Sequence, residues 1–266
     1  MENLSLPFER TVYSGSDQSV TWSGVSLAAG EDLKAFMGGP VAARLYDLPG
    51  QEDYEEYLRG LSLTGLGTDS LREVLSAGTP EDRDWAVAEA LAEALLETRG
   101  VVFPWNMERD KRNERASLPG ADLVGFLAKG TGFRFVFGEV KCSVEDKAPP
   151  GVVYGRSGLI HQLDDLANDL GKLQQLLKWL HPRVKSTNFE EHFRSATTNF
   201  LNSGNRDAAL YGFLVRDTQA RVEDIQGRGA TLAGRLKDPS TCDLVVVYLP
   251  HPVSELPARV RIGGGT

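Results

Sequence analysis

Cysteine is almost absent from this chain. Cys142 and Cys242 are the only two among 266 residues, too few for a disulfide framework and without the C-x-x-C spacing of a zinc site. Both read as reduced core thiols. The four histidines, His161, His181, His192 and His251, also lack metal-ligand spacing. A Cys142–His161 nucleophilic pair has no third group to orient it. Long apolar runs are missing too. No window approaches ~18 consecutive apolar residues, and the start MENLSLPFER has no basic region followed by an apolar one, so a cytoplasmic protein without membrane spans is expected. Gly65-Leu66-Gly67 is too short for a phosphate-cradling loop, and no Walker-type lysine follows it.

Positive charge is the last scarcity. Lys and Arg number 29 against 37 Asp and Glu, a net charge of −8, which excludes a protein that coats nucleic acid by electrostatics alone. Any such contact must be local. One basic cluster exists, Arg109, Lys111, Arg112 and Arg115, interspersed with Glu108, Asp110 and Glu114; it reads either as a solvated loop or as a backbone-phosphate contact. The acidic surplus suggests that access is governed by a partner.

What is present is an ordinary globular composition, 41% hydrophobic, enough for one large domain or two small ones. The most informative stretch is Phe133 to Lys141, FRFVFGEVK. Its alternation predicts a strand, and a strand sends Glu139 and Lys141 to one face and Val140 to the other. Asp122, seventeen residues before Glu139, opens another strand-like run after the turn Pro119-Gly120-Ala121. Two carboxylates and an ammonium can thus converge. That combination suits a hard divalent cation with a lysine beside it to orient or deprotonate water, which is phosphodiester-hydrolysing chemistry. A bare Glu-x-Lys is common on solvated strand ends, so the surrounding pattern matters.

Residues 1–78 predict a short β-like start, TVYSGSDQSVTWSGVSL, then helices around Glu31–Phe36, Asp53–Arg59 and Ser70–Ser76, interrupted by Gly and Pro. This reads as an N-terminal α+β extension, and the acidic run Gln51 to Tyr57 as a solvated helix face or a partner-binding surface. Thr79, Pro80, Glu81 and Asp82 signal a helix N-terminus. That helix runs to about Thr98 with a buried stripe of Trp85, Ala88, Leu91, Ala92 and Leu95. Glu89, Glu93 and Glu97 share one face, a wet face or a metal-facing edge, with Glu89 and Glu93 the better candidates. Strands follow at Val101–Trp105, Asp122–Leu127 and Phe133–Cys142, then one helix over Leu159–Leu180, and buried strands at 208–216 and 242–249. Gln162 and Lys172 sit on the helix within possible reach of the site.

Helix, strand, Asp-bearing strand, Glu-x-Lys strand, helix, strand over roughly residues 80 to 250 resembles the PD-(D/E)xK nuclease superfamily. The resemblance implies an α/β fold with a restriction-endonuclease-like core, a mixed central sheet flanked by helices, spanning residues 79–266. It also implies a Mg2+-dependent deoxyribonuclease, with Mn2+ able to substitute. By the motif, Asp122 and Glu139 are metal carboxylates, Glu89 or Glu93 completes the shell, Lys141 is catalytic and Gln162 orders the site. One departure is Ala121 where the motif has proline. The GEVKCS stretch and HQLDDLANDLGKLQQLL further resemble the nuclease subunits of the Hachiman antiphage defence system, which implies a DNA substrate and a helicase partner that restrains cleavage.

Overall fold

The computed structural model describes residues 6–61, 67, 69–71, 73, 83–110 and 120–261. Among these, seven strands form one mixed sheet with helices on both faces, the α/β arrangement expected from the sequence. Strand β1 (Glu9–Asp17) turns back as β2 (Val20–Leu27). After α1 (Glu31–Phe36), α2 (Ala42–Leu45) and α3 (Leu48–Leu61) comes α4 (Asp84–Thr98). Then follow β3 (Val101–Val102), β4 (Leu123–Lys129) and β5 (Gly132–Ser143). Helices α5 (Leu159–Asn168), α6 (Leu170–Val184) and α7 (Glu190–Asn202) lead to β6 (Ala208–Arg216). Finally α8 (Gln226–Ala233), β7 (Thr241–Tyr248) and α9 (Leu256–Arg261) complete the chain.

The spatial order is β1-β2-β7-β6-β5-β4-β3. Strands β2, β7, β6 and β5 pair in parallel, and antiparallel pairs close both ends. The parallel centre is the apolar part: all nine residues of β6 are buried, as expected where helices cover both faces. The period of two in β5 sorts its side chains. Val136 and Val140 join the layer of α4, with Ala88, Leu91 and Leu95. Phe135 and Phe137 join the layer of α5 to α8, with Leu163, Leu173, Phe200 and Leu232.

Several expectations change. The N-terminal segment is not appended to the sheet but belongs to it, because β2 pairs with β7 from Val20↔Cys242 to Ser26↔Tyr248. Residue 78 therefore marks no break in the sheet. The helix expected over Leu159–Leu180 is two helices. Asp169 (φ −87°, ψ 96°) caps α6, its Oδ1 accepting from the amides of Gly171 at 2.8 Å and Lys172 at 3.1 Å; a side-chain acceptor for orphan amides is what a helix start needs. Helix α7 was not foreseen. The strand at Val101–Trp105 shortens to Val101–Val102. The caps read at Thr79 to Asp82 and part of the helix at Ser70–Ser76 lie outside the described residues.

Gly212 shows how closely α5 seats on the sheet. It stands opposite Glu139 across the β5–β6 pair, and a Cβ there would lie 2.7 Å from both Leu163 Cδ1 and Leu244 Cδ2. Gly212→Ala is expected to cost roughly 1–3 kcal/mol, since well-packed cores resist an added methyl. Urea denaturation checks this, and an unchanged midpoint would show that the leucines simply move aside.

Candidate active site

Asp122 reaches its place by backbone geometry. Gly120 has φ +129°, and a Cβ there would lie 2.8 Å from Leu176 Cδ2 of α6. Glycine at this turn lets the chain pass against α6 with an angle that L side chains resist. The Asp122 amide then bonds the Gly138 carbonyl at 3.0 Å, continuing the β4–β5 ladder. The Val140 amide donates to Asp122 Oδ2 at 2.8 Å. One carboxylate oxygen is thus clamped to β5 between Glu139 and Lys141.

Glu139 and Lys141 do share a face, as the strand period requires. Lys141 Nζ lies 2.5 Å from Glu139 Oε1. Glu139 is 4% exposed. Burial raises its pKa to about 7, the nearby Asp122 charge adds to the rise, and the Lys141 hydrogen bond opposes it. A buried carboxylate beside a second one is an electrostatic conflict that a cation relieves.

These groups line a cavity of about 540 Å³ with Trp85, Glu89, Gly120, Cys142, Gln162 and Lys172. Gln162 Oε1 is buried without a hydrogen-bond partner among the described residues. An orphaned amide oxygen is costly unless a ligand or water completes it. Lys172 lies 3.8 Å from Asp165 and is partly exposed. Cap formation by Asp169 puts Lys172 in the first turn of α6, while Gln162 reaches the cavity from the first turn of α5.

The two helical glutamates separate. Glu89 lines the main cavity. Glu93 is 7% exposed, sits 3.8 Å from Arg44 Nε, and lines a neighbouring cavity of about 30 Å³ that also touches Glu89, Asn106 and Asp122. Arg44 also pairs with Glu97, its Nε 3.1 Å from Oε2. An arginine from α2 thus bridges carboxylates that would otherwise repel across one helical turn. Glu89 is the helical carboxylate that shares the main cavity with Glu139, and Glu93 the one beside Arg44.

Among the described residues no group of three or more His, Cys, Asp and Glu side chains is set to hold a metal ion. Mg2+ commonly binds through one or two carboxylates and keeps several waters. Asp122 and Glu139, with the unmet Gln162 oxygen, fit that requirement.

The basic cluster fares differently. Arg109 is exposed but already engaged, its Nε 2.5 Å from Asp47 Oδ2 and its guanidinium 5.0 Å from the Trp105 ring. Lys111, Arg112 and Arg115 lie outside the described residues. Burial pushes the Cys142 thiol up to about 12, and its Sγ faces the Asp84 carbonyl at 4.0 Å, so no thiolate nucleophile forms here. His161 is exposed beside Asp165.

The sequence left Trp85 as core and Lys172 as either solvated or within reach of the site, and the structure places both on the cavity. No helix among the described residues is long and apolar enough to cross a membrane. Comparison with family models, curated proteins and solved structures found no match.

Proposed function

We propose that this chain is a metal-dependent nuclease hydrolysing phosphodiester bonds of DNA on a restriction-endonuclease-like core. The observation that carries the proposal is the convergence of Asp122, Glu139, Lys141 and Gln162 on one open cavity, with Asp122 fixed by the Val140 amide. Asp122 and Glu139 would hold Mg2+, with Glu89 on the lining of the same cavity in a position to bind its waters. When bound, Mg2+ supplies Lewis-acid polarisation of the scissile phosphate and a more acidic water.

The residues divide the remaining work. Lys141, anchored to Glu139 Oε1, orients the attacking water and offsets charge developing on the phosphate. Gln162 presents its unpaired oxygen as an acceptor toward that water. Lys172, on the lining of the same cavity and 3.8 Å from Asp165, offers a second, partly neutralised ammonium for a flanking phosphate. Glu139, with its pKa near 7, holds a proton readily when no cation is present, so metal loading releases a proton.

Incubation with supercoiled plasmid in Mg2+ or Mn2+ tests the proposal. Wild type is expected to cleave and Asp122→Asn to leave the plasmid intact. A smear indicates broad degradation and discrete bands a sequence-specific enzyme. Titration calorimetry with Mn2+ accompanies the assay, since absence of both cleavage and metal binding sinks the nuclease proposal.

We further propose an effector role in an antiphage complex restrained by a helicase partner. The Hachiman resemblance supports it, as does α3, which buries none of its residues and exposes Tyr54, Tyr57 and Leu61 beside Glu52, Asp53 and Glu56. The direct Lys141–Glu139 pair favours a second reading, a silent assembly subunit whose two charges satisfy each other. Absence of metal binding selects it.

A further inference from the structure

The connection between the two site-bearing elements, β5 and α5, carries a group of cations held without carboxylates. Lys147 Nζ donates to the Tyr154 hydroxyl at 2.5 Å and lies 5.0 Å from the ring centroid. Arg228, from α8, lies 5.1 Å from the same ring. Arg221 donates to the Asp146 carbonyl at 3.1 Å, and Arg156 is exposed two residues beyond Tyr154. Among the described residues no carboxylate pairs with these four cations, whereas nearby Lys172 and Arg235 are paired with Asp165 and Asp164. A π face gathers cations without neutralising them, so their charge stays available to an outside anion.

The backbone beneath the group is pinned. Arg216, fully buried and paired with Asp224, donates to the carbonyls of Glu145 and Lys147, the latter at 3.3 Å. Asp224 also accepts from Tyr248 at 2.7 Å, and Tyr248 meets Tyr13 at 2.8 Å. A buried ion pair is costly to form, the more so with Arg216 Nε buried without a hydrogen-bond partner among the described residues. Here it fixes the loop directly after Lys141 and so lowers the ordering cost of binding on that loop. The exposed carboxylates nearby are Glu145, Asp146 and Glu223. Glu145 is occupied, accepting from the Gly151 amide at 3.0 Å.

We infer that Lys147 and Arg228, over the Tyr154 ring, together with Arg221 on the Asp146 carbonyl and exposed Arg156, form a phosphate-backbone contact surface that receives the nucleic-acid strand flanking the scissile bond. The inference rests on the phosphodiester-cleaving function proposed above and names where a chain with a net charge of −8 would concentrate its positive contact. Backbone contacts of this kind hold the strand in register without reading sequence.

Fluorescence anisotropy in EDTA, which suppresses cleavage, tests it with a short labelled single-stranded oligonucleotide and the matching duplex. Lys147→Ala/Arg228→Ala is expected to bind about ten-fold more weakly than wild type and to reduce the slope of log affinity against log salt by about 2, one per lost phosphate contact. Lys185→Ala, on α6's exposed end, serves as the control and should leave the slope unchanged. The arm showing the larger slope change identifies the strand form contacted. Binding and cleavage by wild type with an unaltered slope in the double variant overturns this surface while leaving the nuclease proposal standing. A reduced slope with neither plasmid cleavage nor Mn2+ binding supports the surface and sinks the catalytic proposal. Failure of wild type to bind either probe overturns the surface outright.

Discussion

Without divalent cations at about pH 8, Glu139→Gln is expected to unfold at a higher urea concentration than wild type, by roughly 3 kcal/mol at most. Glu139 is pushed from 4.5 to about 7, by burial first and the Asp122 charge second. Between those values the folded chain keeps a proton that the unfolded chain has released, so folded stability falls as pH rises. The contribution is fully present below the unfolded pKa and lost once pH passes the folded one. Glutamine cannot ionise and so escapes this loss. The difference between wild type and variant should therefore be small near pH 4 and grow through about pH 7, with other carboxylates cancelling in the subtraction. Lys141 loses its partner in the variant, but its side chain is 24% exposed and water can take over. Mn2+ or Mg2+ at about pH 8 should restore wild type and leave the variant unmoved, because only the native state of wild type offers the complete carboxylate pair. Parallel stability curves for the two proteins across this range would refute the electrostatic conflict.

Lys141→Ala is expected to lower Mg2+-dependent plasmid cleavage by about 10³-fold, the scale of losing one preorganised charge at the reacting phosphate. Fold and metal affinity should survive. The side chain is partly exposed, and β5 keeps its ladder with β4 and β6. Removing the ammonium also relieves Glu139 of a cationic partner, so Mn2+ titration should show affinity equal to or above that of wild type. Lys141→Arg retains charge but not the compact geometry and should recover only part of the rate. A variant that loses cleavage together with its cooperative melting transition would instead mark Lys141 as structural.

Much of the site was legible because a strand has a period of two. FRFVFGEVK alone places Glu139 and Lys141 together and Val140 in the opposite layer, and no tertiary information is required for that. The buried strands Ala208–Arg216 and Thr241–Tyr248 were legible for a related reason: continuous apolar runs survive only where both faces are covered. Helix α4 likewise announced its buried stripe, although Trp85 within it turned out to line the cavity.

Other features were decided by distance in space between residues far apart in sequence. No local signal says that the hairpin of β1 and β2 adds to β7, since parallel pairing is set by what else covers the sheet edge. The repeat of Glu89, Glu93 and Glu97 is uniform along the chain. Only the position of Arg44, from α2, separates the glutamate at the cavity from those it binds. The α5–α6 break had a local cue in Asp169 and Gly171, yet leucine periodicity runs on through it. Arg216 ends a strand the sequence reads as buried, but its pairing with Asp224, both fully buried, is something only long-range packing can arrange. Strand alternation thus determined which side chains face the candidate site, while tertiary packing decided which charges are neutralised and which remain open to a ligand, because electrostatic pairing depends on through-space distance and desolvation.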